Sequence, residues 1–263
     1  MVSLSGVCVL MTRPVTPNGT QYGIFIVVCG ILTGCGSVSF VQGVILSNQA
    51  DAVSLYFSLP IIVIILEAFI KCKRVKILHL SFTTCSFVGV AVVSQPFTTL
   101  KEQSYLNILG MILGLAAGIF HACGFMIVQK LKEVTVHPLI LCLATSSTMF
   151  AVSLSLGTFL QRLAIPRSFD EILILSAVGF LHFTANAFAF LAVGIERPYV
   201  VSVIMTFEVI FTFIAQWIFL NVTPSWYSAT GGFLISAVCI GVALSKDEET
   251  SSDDREEQRL VNE

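Results

Sequence analysis

The sequence predicts an all-α fold: a polytopic transmembrane helical bundle made of two inverted five-helix repeats, with the first repeat truncated at its N-terminus. Three observations predict it. Hydrophobic residues make up 56% of the 263-residue chain and charged residues 11%, with a mean hydropathy of +0.90; a soluble domain carries roughly 25% charged residues. The apolar residues gather into eight runs, each close to the ~20 residues needed to cross a bilayer. Two groups of those runs also resemble each other while carrying unequal flanking charge.

The chain starts with an apolar stretch, 1–11, too short to span and without the basic start of a signal peptide. It reads as the end of a helix whose beginning is missing, so eight full spans plus a partial one are expected. The full spans are 22–46, 53–70, 77–95, 106–128, 138–160, 171–195, 199–220 and 227–245. Their connections are short, which leaves no room for a soluble domain. The last segment, 247–263, is rich in Asp and Glu and has the composition of a disordered tail.

Charge sets the expected orientation. With the tail in the cytoplasm, one side collects Arg13, Lys71, Lys73, Arg74, Lys76, Lys130, Lys132, Arg197 and Lys246, and the other Lys101, Arg162 and Arg167. The chain is therefore expected to be an integral multi-pass protein of the plasma membrane or an endomembrane such as ER or Golgi, with its C-terminus cytoplasmic. Six cysteines, Cys29, Cys35, Cys85, Cys123, Cys142 and Cys239, sit in apolar runs without metal-ligand spacing. They read as small buried hydrophobes. Cys72, between Lys71 and Lys73, is placed for palmitoylation at a membrane edge.

The first three full runs resemble the last three. Ala52-Val53-Ser54 matches Val200-Val201-Ser202 at an offset of 148, and Gly89-Val90-Ala91 matches Gly241-Val242-Ala243 at 152. The matched runs lie five helices apart, an odd number, so the two copies cross in opposite directions. The turn after the second run is strongly basic, Lys71 to Lys76, whereas its counterpart, Asn221 to Trp226, has no cation. This divides the chain into a truncated first repeat, 1–98, a complete second repeat, 104–246, and the tail. Inverted repeats are a transporter feature, with the solute site at their interface near mid-membrane.

These residues resemble the drug/metabolite transporter superfamily, with EamA-like five-helix repeats, and are similar to the G subgroup of solute carrier family 35. The resemblance is carried by Ala50-Asp51-Ala52 and Tyr56-Phe57-Ser58-Leu59-Pro60, then by Gly89-Val90 before Ser94-Gln95-Pro96. In the second copy it rests on Glu208 after Thr206-Phe207, on Trp217-Ile218-Phe219-Leu220 and on Gly241-Val242. It implies a ten-helix fold and a secondary transporter of a small organic metabolite.

Polar side chains deep in a bilayer are costly, so each is a candidate functional group. Glu208 can carry a coupling proton or bind a cationic group; a carboxyl bonded to a neighbouring helix explains it equally. His182 and Asn186 lie four apart and share a helical face. His121 lies midway along 106–128. An imidazole suits proton traffic, and an interhelical hydrogen bond suits it as well. Gln42 is the comparable position in the first copy. Tyr56 and Asn48 are expected near an outer vestibule. Pro60 falls inside 53–70, where Glu208 falls inside 199–220, and is expected to kink or hinge its helix. Gly110, Gly114 and Gly118 form a small-residue stripe beside His121.

No Lys or Arg lies in the mid-membrane core, which favours a small metabolite or weak acid over a highly charged solute. No catalytic, metal or phosphate-loop motif is present, so no enzyme, cofactor or metal is expected. The expected partners are the bilayer and a small-molecule solute, not nucleic acid. A homodimer, and sorting or regulatory proteins on the acidic tail, remain open. The other functional reading is a non-transporting membrane regulator or scaffold.

Overall fold

The computed structural model describes residues 20–47, 49–71, 77–94, 105–132, 136–159, 166–208 and 230–242, together with residues 5, 6, 9, 210, 211, 214, 218, 226 and 227. Among them no strand occurs. The expectations for the acidic tail, Cys72, Asn48, the turn segments 72–76 and 221–225 and most of 1–11 lie outside the described residues.

The helices are α1 Thr20–Leu46, α2 Gln49–Tyr56, α3 Leu59–Lys71, α4 Ile77–Ser94, α5 Tyr105–Leu131, α6 Pro138–Phe159, α7 Phe169–Ile195, α8 Pro198–Met205 and α9 Thr230–Val242. Among the described residues, four are long and apolar enough to cross a membrane: α1 from Tyr22, α5, α6 and α7. Their ends follow local chemistry. Ser168 caps α7, its hydroxyl accepting from the Glu171 amide at 3.2 Å, while the Glu171 carboxylate accepts from the Arg167 amide at 2.8 Å. Asp170 and Glu171 add negative charge to that first turn, where the helix dipole favours it. Pro198 opens α8, where its missing N–H costs nothing.

Two expected spans are interrupted. The run 53–70 is not one helix but α2 and α3, separated by a turn at Phe57–Ser58. The run 199–220 breaks after α8 at Thr206–Phe207, and Glu208 is again helical. Pro60 is therefore not an interior kink. It is the second residue of α3, in a first turn where proline is tolerated; the break precedes it.

Facing residues give the relative directions of the helices. Gly43 of α1 lies against Gly110 of α5, Gly36 against His121, and the Cys29 thiol 3.8 Å from the Gly124 carbonyl, so α1 and α5 run antiparallel. Gly30 meets Ala144, Gly34 meets Thr148, and the Thr33 and Thr145 hydroxyls lie 2.7 Å apart, so α1 and α6 run parallel. Gly114 and Gly118 of α5 face the Ala52 and Tyr56 carbonyls of α2, again in parallel. These seams are made by small residues because helices in lipid cohere through close packing, not through escape from water.

Helices α4 and α9 pack antiparallel with a reciprocal fit. Ile235 of α9 fills the space at Gly89, and Phe82 of α4 fills the space at Gly241. Where α3, α5, α7, α8 and α9 meet, the core is Leu59, Val63, Phe125, Phe190, Val203 and Val242. The N-terminal half of α7 stands apart. Ile172, Leu173, Ile174, Leu175, Val178, Phe180 and Leu181 are all exposed, and a helix apolar on every side is at home in hydrocarbon.

Candidate functional site

Each helix break carries a hydroxyl–carbonyl bond. At the first, the Ser58 hydroxyl donates to the Leu55 carbonyl at 2.7 Å. At the second, the Thr206 hydroxyl donates to the Val203 carbonyl at 2.6 Å. Each hydroxyl is a second donor to a carbonyl that has lost its i+4 partner at the break and already accepts an i+3 amide, Ser58 N–H to Leu55 at 3.2 Å and Thr206 N–H to Val203 at 3.1 Å. The positions correspond at the 148-residue offset seen in the sequence: Ser58 with Thr206, Leu55 with Val203. The Thr206 oxygen also lies 2.9 Å from the Ser86 hydroxyl of α4, which ties the second break to the first half of the chain.

His121 of α5 lies beside the first break, against α1 and α2. It is buried, with 8% of its surface exposed. Its Nδ1 lies 3.0 Å from the Ala117 carbonyl, which can only accept, so Nδ1 carries a proton. Its Nε2 lies 3.4 Å from the Ser37 oxygen of α1, and Ser37 already donates to the Thr33 carbonyl at 3.0 Å. In the neutral tautomer two acceptors therefore face each other; a proton added at Nε2 would join them. Room for the imidazole comes from Gly36, where a methyl group would stand 2.6 Å from Nδ1. Tyr56, the last residue of α2, meets His121 edge-on at 5.6 Å between ring centroids and packs at 4.6 Å on Phe40.

Glu208 follows the second break immediately. It is exposed at the protein surface, and its carboxylate is within electrostatic reach of Tyr56, the residue beside the first break. His182 of α7 is half-buried and within electrostatic reach of His121. Its Nε2 is buried with no hydrogen-bond partner. Asn186, one turn on, donates through Nδ2 to the His182 carbonyl at 2.9 Å, so its amide is turned back along α7.

The structure thus gathers His121, Tyr56 and Glu208 around the two breaks, with His182 alongside. Tyr56 is buried, 8% exposed, at the end of α2. Gln42 lies half-buried on α1, six residues beyond the glycine that faces His121, which is about 9 Å along a helix. Pro60 lies just past the first break.

The sequence reading missed Gly36, Ser37, Ser58, Ser86 and Thr206. Serine and threonine in an apolar helix give little signal because they commonly bond their own backbone. The 148-residue offset was the signal that could have paired Ser58 with Thr206.

The end of the bundle near these helices' charged termini is also structured. Lys130 Nζ lies 4.8 Å above the Phe25 ring, and Lys132 donates to the Ile195 carbonyl at 2.9 Å, covering the C-terminal end of α7.

Residues 108–244 match the EamA-like transporter family. Solute carrier family 35 member G1 of Homo sapiens is 26% identical over 243 residues, covering 88% of this chain and 64% of the relative. The Mus musculus protein of the same name is 20% identical over the same shares. The chain therefore spans less than two thirds of the length of these relatives. Among solved structures, one crystal structure superposes with a TM-score of 0.70 at 15% identity, covering 92% of this chain and 84% of that one, a likeness of fold. The chain is an integral membrane protein and belongs to the EamA-like transporter family.

Proposed function

We propose that the chain works as a secondary transporter of a small organic metabolite, by alternating access between two inverted repeats, 1–98 and 104–246. The observation that carries this reading is the pair of helix breaks at corresponding positions, Phe57–Ser58 and Thr206–Phe207, sealed by equivalent hydroxyl–carbonyl bonds. Interrupted helices at matched positions of two halves mark the solute site of inverted-repeat transporters. The reciprocal fit of α4 and α9, with Gly89 and Gly241 as the two sockets, supports the same two-fold relation.

In this reading Glu208 and His121 handle a coupling proton, and Tyr56, His182 and Asn186 line the solute path. Gln42 lies further toward one mouth. The hinge is the turn at Phe57–Ser58, with Pro60 fixing the start of α3. The apolar runs that carry the cluster, 22–46, 53–70, 106–128, 171–195 and 199–220, contain no Lys or Arg, which favours a small neutral solute or a weak acid over a multiply charged one. The same proposal places the C-terminus in the cytoplasm and the protein in the plasma membrane or an endomembrane.

The test is uptake by proteoliposomes containing the full chain and a pH-sensitive dye, with a panel of small metabolites offered under an imposed proton gradient. Gradient-driven uptake is expected, with at least a tenfold loss in Glu208→Gln at unchanged melting temperature. Uptake unaffected by that substitution removes Glu208 from the site. No uptake of any offered solute, with the chain folded and inserted, counts against transport by this chain.

A further inference from the structure

A cleft of about 960 Å³ opens beside the C-terminal end of α5. One wall is Leu66 and Ile70 of α3, and the other is Met126 and Ile127 of α5. Gln129, Lys130 and Lys132 stand on its rim. Both lysines are exposed, with Lys130 Nζ 4.8 Å over the Phe25 ring and Lys132 Nζ donating to the Ile195 carbonyl at 2.9 Å. Ile70 is 64% exposed and its neighbour Phe69 is 78% exposed, so the apolar wall continues onto the outside of the bundle.

We propose that this cleft binds an anionic phospholipid, its phosphate set between Lys130 and Lys132 and an acyl chain lying along Leu66, Ile70 and Ile127. The chemistry selects the occupant. A soluble anion would use the lysines and leave the apolar wall unused. A zwitterionic lipid would use the wall and gain little net attraction from two cations. An amphiphile with a negative head uses both. The depth fits as well, because the lysines end a membrane-length helix while the apolar wall lies within its last turns. Basic pockets between helices at a membrane edge recognise acidic head groups in this way. The site is separate from the His121 cluster and does not depend on the transport reading.

Native mass spectrometry of the full chain in detergent, with defined lipids added, provides the test. Phosphatidylserine is expected to bind at least tenfold more tightly than phosphatidylcholine. Each lysine contributes about fivefold, so Lys130→Ala with Lys132→Ala abolishes that preference, whereas Lys130→Arg keeps it within about twofold. Ile127→Trp, which fills the cleft and leaves both charges, weakens binding of phosphatidylserine too. Glycerol 3-phosphate is the soluble control and should not compete. Equal binding of the two lipids, unchanged binding in the lysine variant, or full competition by glycerol 3-phosphate would overturn the proposal. Should removal of Lys132 uncap α7 and unfold the protein, Lys130→Ala alone decides, with a fivefold loss expected.

Discussion

Replacing Gly114 by alanine adds one methyl group at the tightest backbone contact of the α5–α2 seam. That methyl would lie 2.7 Å from the Ala52 carbonyl oxygen and 3.1 Å from the Ala52 Cα. An ordinary carbon–oxygen contact is nearer 3.4 Å, so α2 must retreat by about half an ångström or more, and no flexible side chain can absorb the move. Overpacking of this kind costs about 1–3 kcal/mol, and a backbone neighbour puts it toward the upper end. Alanine offsets up to about 1 kcal/mol through its better helix propensity. The net expectation is a loss of about 1–2 kcal/mol, or roughly 5 °C in melting temperature for a chain of this size. Gly23→Ala and Gly194→Ala are the matched controls, since nothing lies within 4 Å of a methyl group at either; both should be neutral or slightly stabilising. Thermal unfolding of the purified chain in detergent, followed by intrinsic fluorescence, reads all three. Equal melting temperatures for Gly114→Ala and the two controls would refute the close-contact argument.

Ser58→Ala and Thr206→Ala should each lose about 1 kcal/mol, with the larger loss at Thr206 because Ser86 is also left without that partner; unchanged melting temperatures would remove the paired seal. Pro60→Ala should change stability by less than about 1 kcal/mol, since the ring occupies a first helical turn, and should retain uptake; loss of uptake in a fully stable variant would return the hinge to Pro60. His121→Phe forfeits the hydrogen bond to the Ala117 carbonyl and the Ser37 contact, an expected loss of about 1–2 kcal/mol, together with uptake. Peptide mapping after maleimide treatment should show Cys29 and Cys142 protected in the folded protein and modified once it is unfolded in SDS; modification of the buried pair at the same rate in both states would contradict the packing of α1 and α6.

The long spans were legible because their evidence is local: apolar runs bounded by caps and prolines, as at Ser168 and Pro138. The pairing of α5 with its neighbours was half legible, since Gly110, Gly114 and Gly118 announce a close approach but not the partner. That partner is α2, together with the Gly43 end of α1, and no spacing rule names it. The helix breaks were the main loss. Both lie inside uninterrupted apolar sequence, and a turn sealed by one serine or threonine hydroxyl leaves no mark on hydropathy. Pro60 drew attention to the right place for a reason the structure revises, because the chain turns two residues before it. His121 and Tyr56 were each visible as polar groups in apolar runs. Their edge-on contact was not, because it depends on Gly36 making room on a third helix.

The glycine seams have a consequence for how this protein tolerates change. In a soluble core the damaging substitutions are those that shrink a side chain and leave a hole. Here Gly30, Gly34, Gly110 and Gly124 already sit with neighbouring atoms closer than a methyl group allows, while the bulky residues of α7 mostly face outward. A comprehensive substitution map should therefore be lopsided: severe where the smallest residues grow, and mild where large apolar residues on α7 are exchanged for one another.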